Sequence, residues 1–525
     1  MKSNKNSDSI SANAMAATSH PLATEEALNI LKKGGNAVDA AIAASICLSV
    51  VEPNSTGIGG DCFAIVKMEN KDPISYNGSG IAPKKANFEF FESKNIDKIE
   101  LTTPHSVTIP GALDAWKTIH DEHGKLDFEE LFLNSINYAE SGYKVTKKVS
   151  EAWEKSFKKL NNHKITKNLY LNNGKFYKNN ELRKNIPLAN TLKLIKKNGI
   201  KEFYQGSIAE DMVESLNEIG GLHSIEDFSI QKTLRSKTIS SNFKDMTVHQ
   251  CPPNGPGVTV LLMLKLLEKL KINKFNPDSV ERFHLEAEVT KLCYKIREEN
   301  IADPNFISID LEKILSEKNI QKLFNNISLN KCYKINDLKI PNHPETVYLT
   351  VVDKDLNSVS IINSICYSFG SGITSNKSGI LFHNRGTNFR VERDHPNCIE
   401  GGKRPLHTII PGLALNNNNK TVLSFGVMGG QYQPVGQVHV FNNIFDFNMT
   451  PQEAISYPRA FHFNNIYKLE KEISEDIKSK LEAIGHKVEF TNDPHGGGQA
   501  IQIDRKKGKL IGGSDPRKDG YASGY

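Results

Sequence analysis

The residue whose position first invites chemistry is Thr346, at the head of the run Thr346-Val347-Tyr348-Leu349-Thr350-Val351-Val352. A threonine hydroxyl is a weak nucleophile unless a base takes its proton as it attacks. When threonine is the first residue of a chain, its own α-amine, which titrates near pH 8, can be that base, and no serine–histidine–aspartate constellation is required. In an uncut chain the same nitrogen belongs to a peptide bond and cannot act. The run by itself fits a plain strand that begins with a threonine, and taken alone the pattern favours that reading.

Two other groups have chemistry-bearing types. Thr56-Gly57-Ile58-Gly59-Gly60 is glycine-rich and precedes a strand-like segment, Cys62 to Met68. A phosphate-binding loop needs a strand before it, a helix after it and a Gly-Lys-Ser/Thr step, so close backbone packing is the expected role instead. His284 and Glu288 are spaced i, i+4 on a helical segment and could ligate a metal. A third ligand of suitable spacing is missing, and a structural salt-bridged helix is expected.

The elements that must position Thr346 are legible around it. Val347, Leu349 and Val351 alternate with Tyr348, Thr350 and Val352 as in a half-buried strand. Asp353-Lys354-Asp355-Leu356-Asn357 carries turn formers, and Ser358 to Asn363 resumes a β-branched pattern, which predicts a hairpin. Nearer the start, His20 to Lys33 predicts an amphipathic helix ended by Gly34-Gly35. Asn36 then caps a helix whose small residues Ala40, Ala41, Ala43, Ala44 and Ser45 allow close packing. Val258 to Leu270 and Phe283 to Asn300 read as further helices, while Ala500 to Arg505 and Lys509 to Gly512 read as closing strands. Phe128 to Asp245 is lysine- and asparagine-rich, with moderate helical periodicity and no evident chemistry.

Several motifs in order resemble the γ-glutamyltranspeptidase family. They are Gly34-Gly35-Asn36-Ala37-Val38-Asp39-Ala40-Ala41, Thr56 to Asp61, Gly370-Ser371-Gly372-Ile373, Gly379-Ile380-Leu381, Gly402-Lys403-Arg404-Pro405, the Gly426 to Gly430 run and Ser514-Asp515-Pro516-Arg517. The resemblance covers nearly the whole chain and changes the weighting of Thr346. It implies a proenzyme that cuts itself before Thr346, leaving a large subunit of residues 1–345 and a small catalytic subunit of 346–525. It further implies an α+β fold, a four-layer αββα sandwich of the N-terminal nucleophile hydrolase type with the two subunits interwoven. By the same resemblance Ser364 hydrogen-bonds the nucleophile, and the backbone N–H groups of Gly429 and Gly430 form an oxyanion hole.

The substrate pocket departs from the family pattern. Ser79 stands where an arginine would hold the glutamyl α-carboxylate, and Asn388 where an aspartate would hold the substrate ammonium. Cys366 replaces a pocket asparagine, His407-Thr408 a serine pair, and Arg385 a neutral glutamine. Two charge-assisted anchors are thereby lost and a cation appears elsewhere. The combination resembles the family's amidohydrolase branch, which includes oxamate amidohydrolases. It implies a small carboxylate-bearing amide as substrate, with Arg385 receiving the carboxylate. The other reading of Arg385 is a structural ion pair under the pocket. A γ-glutamyl hydrolase or transferase acting on glutathione-like molecules, and an uncut binding protein that keeps the fold, stand as alternatives.

Composition narrows the partners. The 66 basic against 60 acidic side chains over 525 residues give a net charge of +6, too dilute for a nucleic-acid footprint. Seven cysteines, at 47, 62, 251, 293, 332, 366 and 398, show no C-x-x-C spacing, which favours neither a disulfide framework nor a zinc cage and fits a reducing compartment. Met1 to Ser11 is polar, with lysines at 2 and 5 but no apolar core behind them, so it does not read as a secretory signal. The most apolar long segment, Ala40 to Val51, is too short to span a bilayer. The expectation is a cytoplasmic enzyme with a small-molecule amide substrate, no cofactor, no metal, no nucleic acid and no membrane, compatible with a homodimer of cleaved heterodimers.

Overall fold

The computed structural model describes residues 7–335 and 346–525. The lysines at positions 2 and 5, the end of the segment expected to close the large subunit, and Glu345 on the far side of the expected scissile bond lie outside the described residues.

Two seven-stranded antiparallel sheets dominate. Across the first, the order is Ser9–Ser11, Lys509–Ser514, Gly497–Asp504, Thr421–Met428, Gly412–Asn416, Met246–Gln250 and Ile239–Phe243. Across the second it is Ala522–Gly524, Met15–Ala17, Val347–Val352, Ser358–Ser364, Asp61–Lys67, Ile74–Gly78 and Leu234–Lys237. Each sheet thus contains strands from both sides of Thr346. The sheets face one another where Val347–Val352 meets Thr421–Met428 and Gly497–Asp504. Phe63, Ile65, Tyr348, Ile362, Leu413 and Met428 fill part of the space between them. On its far side the second sheet packs on helices Ala37–Val51 and Ala112–His123, and the first on helices Gly257–Lys269, Gln433–Phe445 and Pro451–Ser456.

The hairpin expected after Thr346 is present, with Val347 opposite Asn363 and Val352 opposite Ser358. It is not half-buried as the alternation suggested, because every residue of Val347–Val352 and Ser358–Ser364 is buried. Val347, Leu349 and Val351 join the core under helix Ala37–Val51, while Tyr348 joins the core between the sheets. The polar residues of that inner face pair with each other: Tyr348 Oη lies 2.7 Å from Ser360 Oγ, and Thr350 Oγ1 lies 2.5 Å from Ser424 Oγ. Helix Ala37–Val51 is buried along its whole length, as its small residues require, and Asn36 closes a capping box with Asp39 at its start.

The turn of the hairpin also locks that helix. Asp353 is buried and accepts from Ala37 N at 2.9 Å, from Asp355 N and Asn357 N at 3.0 Å each, and from Asn357 Nδ2 at 2.9 Å. Asp353→Ala strands four donors, one of them at a helix N-terminus, where a carboxylate also meets the helix dipole. We expect a loss of about 1–3 kcal/mol, read as a melting midpoint lowered by a few degrees with the fragment pattern on a denaturing gel unchanged.

Candidate active site

The antiparallel register sets several site residues at one end of the second sheet. Ser364 ends its strand directly opposite Asp61, which begins the next, and Thr346 immediately precedes the strand on the other side of Ser364. Gly60 lets these strand ends close up, because a Cβ there would lie 2.4 Å from Ser364 O. The glycine loop is therefore a packing device, as expected. Ser79 follows the next strand over and lies about 14 Å across the sheet from Thr346 at the usual strand spacing.

Thr346 is fully buried. Its Oγ1 lies 3.4 Å from Ser364 Oγ and accepts from Gln433 Nε2 at 3.3 Å. The amide of Gln433 is oriented by Ile410, whose N–H donates to Gln433 Oε1 at 3.1 Å. Gln433 is the first residue of helix Gln433–Phe445, which follows directly on the turn Gly430–Tyr432. The start of this helix thereby carries the side chain that reaches the threonine. Gly429 and Gly430 have φ of +125° and +56°, and their N–H groups donate to no described residue.

Arg385 is also fully buried and has three partners. Its Nε donates to Asp61 Oδ2 at 2.9 Å, Nη1 to Thr408 Oγ1 at 3.1 Å and Nη2 to Ser364 Oγ at 3.0 Å. The ion pair anticipated as the second reading of Arg385 is thus in place, so the guanidinium brings no uncompensated charge. Around Asp61, His383 Nδ1 and His407 Nε2 each stand 3.1 Å from Oδ2, and Gly80 N donates to Oδ1 at 3.2 Å. Burial alone would raise the Asp61 carboxyl, but His383 and His407, with the Arg385 guanidinium beside them, hold it well below the usual carboxylate range. Burial, reinforced by Arg385, lowers the His407 imidazole to about 4, so it is neutral near pH 7.

The other expected pocket residues divide. Cys366, at φ +77°, turns its N–H onto Ser364 Oγ at 2.9 Å, and burial pushes its thiol up to about 11, so it offers no thiolate. Asn388 donates from Nδ2 to Leu406 O at 3.0 Å, while its buried Oδ1 has no hydrogen-bond partner among the described residues. Ser79 turns away: its Oγ donates to Asn77 Oδ1 at 2.6 Å and accepts from Asn254 Nδ2 at 3.3 Å. Sequence reading missed Asp61, His383 and Gln433. The one available signal was position, since Asp61 follows the glycine run and Gln433 stands three residues past Gly430.

A second buried cluster answers the metal question raised by helix Val280–Asn300. The third donor absent from the sequence reading is His486, whose Nε2 lies 2.7 Å from His284 Nδ1, with Glu288 beside them. A cation already sits there: Lys291 pairs with Glu288 and donates to Tyr333 O at 2.8 Å. His284 Nε2 bonds Ser328 O at 2.7 Å, and Glu288 Oε2 accepts from Tyr333 N at 2.7 Å. The cluster ties the helix to the chain leading toward Thr346, and it corrects the expectation that no third donor stands by His284 and Glu288. All seven cysteines are free. No helix among the described residues is long and apolar enough to cross a membrane.

Comparison with known proteins places these features in context. The family model described as Gamma-glutamyltranspeptidase matches residues 23–525. The chain is 32% identical over 530 residues to the glutathione hydrolase-like YwrD proenzyme of Bacillus subtilis, covering 99% of this chain and 100% of that protein. It is 29% identical to the oxamate amidohydrolase proenzyme of Klebsiella pneumoniae, with the same coverage of both chains. Among solved structures, the cephalosporin acylase from Bacillus halodurans superposes with a TM-score of 0.91 at 32% identity, covering 99% of this chain and 97% of that one.

Proposed function

Because the chain belongs to the gamma-glutamyltranspeptidase family, we propose that it is the precursor of an N-terminal nucleophile hydrolase that cuts itself between Glu345 and Thr346 and then hydrolyses a small carboxylate-bearing amide. In that reading residues 1–345 and 346–525 are its large and small subunits, and the two facing sheets with helices outside them are the four-layer αββα arrangement. What supports the reading most directly is the placement of Thr346 Oγ1 between Ser364 Oγ and Gln433 Nε2. Gln433 shares its helix entry with the N–H groups of Gly429 and Gly430, which donate to no described residue.

In self-cleavage the Thr346 hydroxyl attacks the Glu345 carbonyl, the C–N bond breaks as the nitrogen takes a proton and becomes the α-amine, and water then hydrolyses the resulting ester, separating the two chains and restoring the hydroxyl. That amine then serves as the base. It takes the hydroxyl proton as Oγ attacks the substrate amide, and returns a proton to the departing nitrogen. Gly429 and Gly430 stabilise the tetrahedral oxyanion, and water resolves the acyl-enzyme.

Substrate choice follows from what the pocket offers. Ser79 spends its hydroxyl on Asn77, and Asn388 has no charge with which to hold an ammonium. The free, buried Oδ1 of Asn388 is the acceptor for a substrate N–H. A guanidinium has five N–H groups, so two remain on Arg385 beyond its three protein contacts, and in this reading they receive a substrate carboxylate close to the scissile carbonyl. His407 and Thr408 support that edge. Each lost charge-assisted anchor is worth roughly tenfold or more against a glutamyl group. On a panel assayed by ammonia or amine release, oxamate-like amides should exceed glutathione and γ-glutamyl anilides in kcat/KM by at least about tenfold. Faster turnover of γ-glutamyl anilides would instead establish a γ-glutamyl hydrolase or transferase.

A further inference from the structure

Ser364 Oγ is held from two sides. It accepts from Cys366 N at 2.9 Å and from Arg385 Nη2 at 3.0 Å, which fills both acceptor positions of a hydroxyl. Thr346 Oγ1 lies 3.4 Å from it and 3.3 Å from Gln433 Nε2, with Gln433 oriented by Ile410 N on its carbonyl. Two polar groups thus stand at the oxygen proposed as nucleophile, where negative charge grows as its proton leaves. Arg385 in turn is held by Asp61, 324 residues earlier in the chain, whose Oδ2 also faces His383 and His407.

We infer that Asp61 and Arg385 are a positioning pair for the nucleophile: the carboxylate fixes the guanidinium, and the guanidinium fixes Ser364 Oγ beside Thr346 Oγ1. This rests on Thr346 being the nucleophile. It differs from a substrate role for Arg385 because it applies to self-cleavage, where no external carboxylate is present. It also explains why a buried cation here has its own counter-ion, since its task is to orient a neutral hydroxyl.

The test follows self-cleavage in a cell-free translation time course by denaturing electrophoresis, with turnover measured on the cut fraction. Arg385→Met and Asp61→Asn should slow self-cleavage by about 10- to 100-fold, the range for a hydrogen bond made to a group that becomes charged. Asp61→Asn should lower kcat by a similar factor without raising KM, since the guanidinium remains. Arg385→Lys, which keeps the charge opposite Asp61 and hence the fold, should recover a large part of the loss seen with Arg385→Met. Ser364→Ala should slow cleavage as well, and in that background Arg385→Met should cost less than about threefold, because the two act in series. Equal cost of Arg385→Met with and without Ser364 would overturn the inference. So would self-cleavage within about threefold of wild type in folded Asp61→Asn and Arg385→Met. A Thr346→Ala chain that still cuts would overturn the nucleophile assignment itself, whereas a blocked Thr346→Ala beside unimpaired Asp61→Asn and Arg385→Met would overturn the positioning pair alone.

Discussion

Thr346→Ala leaves the protein as one 58.5 kDa chain on a denaturing gel, where the wild type gives two fragments, and lowers amide turnover by at least about a thousandfold. Both effects have one cause, because one oxygen performs both attacks. Alanine removes that oxygen and leaves Gln433 Nε2 without the acceptor it has at 3.3 Å. The fold should survive, since the threonine precedes the strand and the Val347–Val352 ladder does not use its side chain. Thr346→Ser, which keeps the hydroxyl, should cut more slowly than wild type but to completion. The mature enzyme should show a further signature. Its base is an α-amine, active only when neutral, so kcat/KM rises with pH through an apparent pKa near 8. Acetylating the new amino terminus should abolish that limb together with activity. A wild-type protein that folds but remains full-length would remove the main support for Thr346.

The hairpin was readable because its signal is local: alternation, a turn rich in Asp and Asn, and resumed alternation within two dozen residues. Its burial was not, because Tyr348, Thr350 and Ser360 look like a solvent face until Tyr348 is seen to pair with Ser360, and Thr350 with Ser424 across the gap between sheets. The same limit applies to the site. Thr346, Ser364 and Gly429-Gly430 were found through motifs whose spacing is preserved. Asp61 was passed over as the end of a glycine loop, and what gives it meaning is Arg385, brought to it by the fold from 324 residues away. His486 likewise reached His284 from 202 residues away. Arg385 was recognisable as a new charge, but its compensation was invisible, because charge pairing across a fold leaves no periodicity in the chain. Sequence therefore exposed the proposed nucleophile more fully than the groups proposed to orient it.

Gly429→Ala should lower kcat by about 10²–10³-fold, the cost of losing an oxyanion donor, with a smaller effect on KM. Two features make this position intolerant. The backbone stands at φ +125°, where an L side chain is strained, and a Cβ there would lie 2.7 Å from the Cα of Gly496, a backbone atom that cannot swing aside as a side chain would. Gly496 leads into the Gly497–Asp504 strand, which pairs with the Thr421–Met428 strand preceding Gly429, so relief would have to come from moving the loop itself. That movement displaces the N–H groups of Gly429 and Gly430 relative to Thr346, and it also turns the helix entry from which Gln433 reaches the nucleophile. Self-cleavage passes through a tetrahedral oxyanion of its own, so uncut chain should accumulate as turnover falls. If Gly429→Ala cleaved itself normally and lost only turnover, the two reactions would use different donors for their oxyanions, and the assignment of this N–H pair would hold for hydrolysis alone.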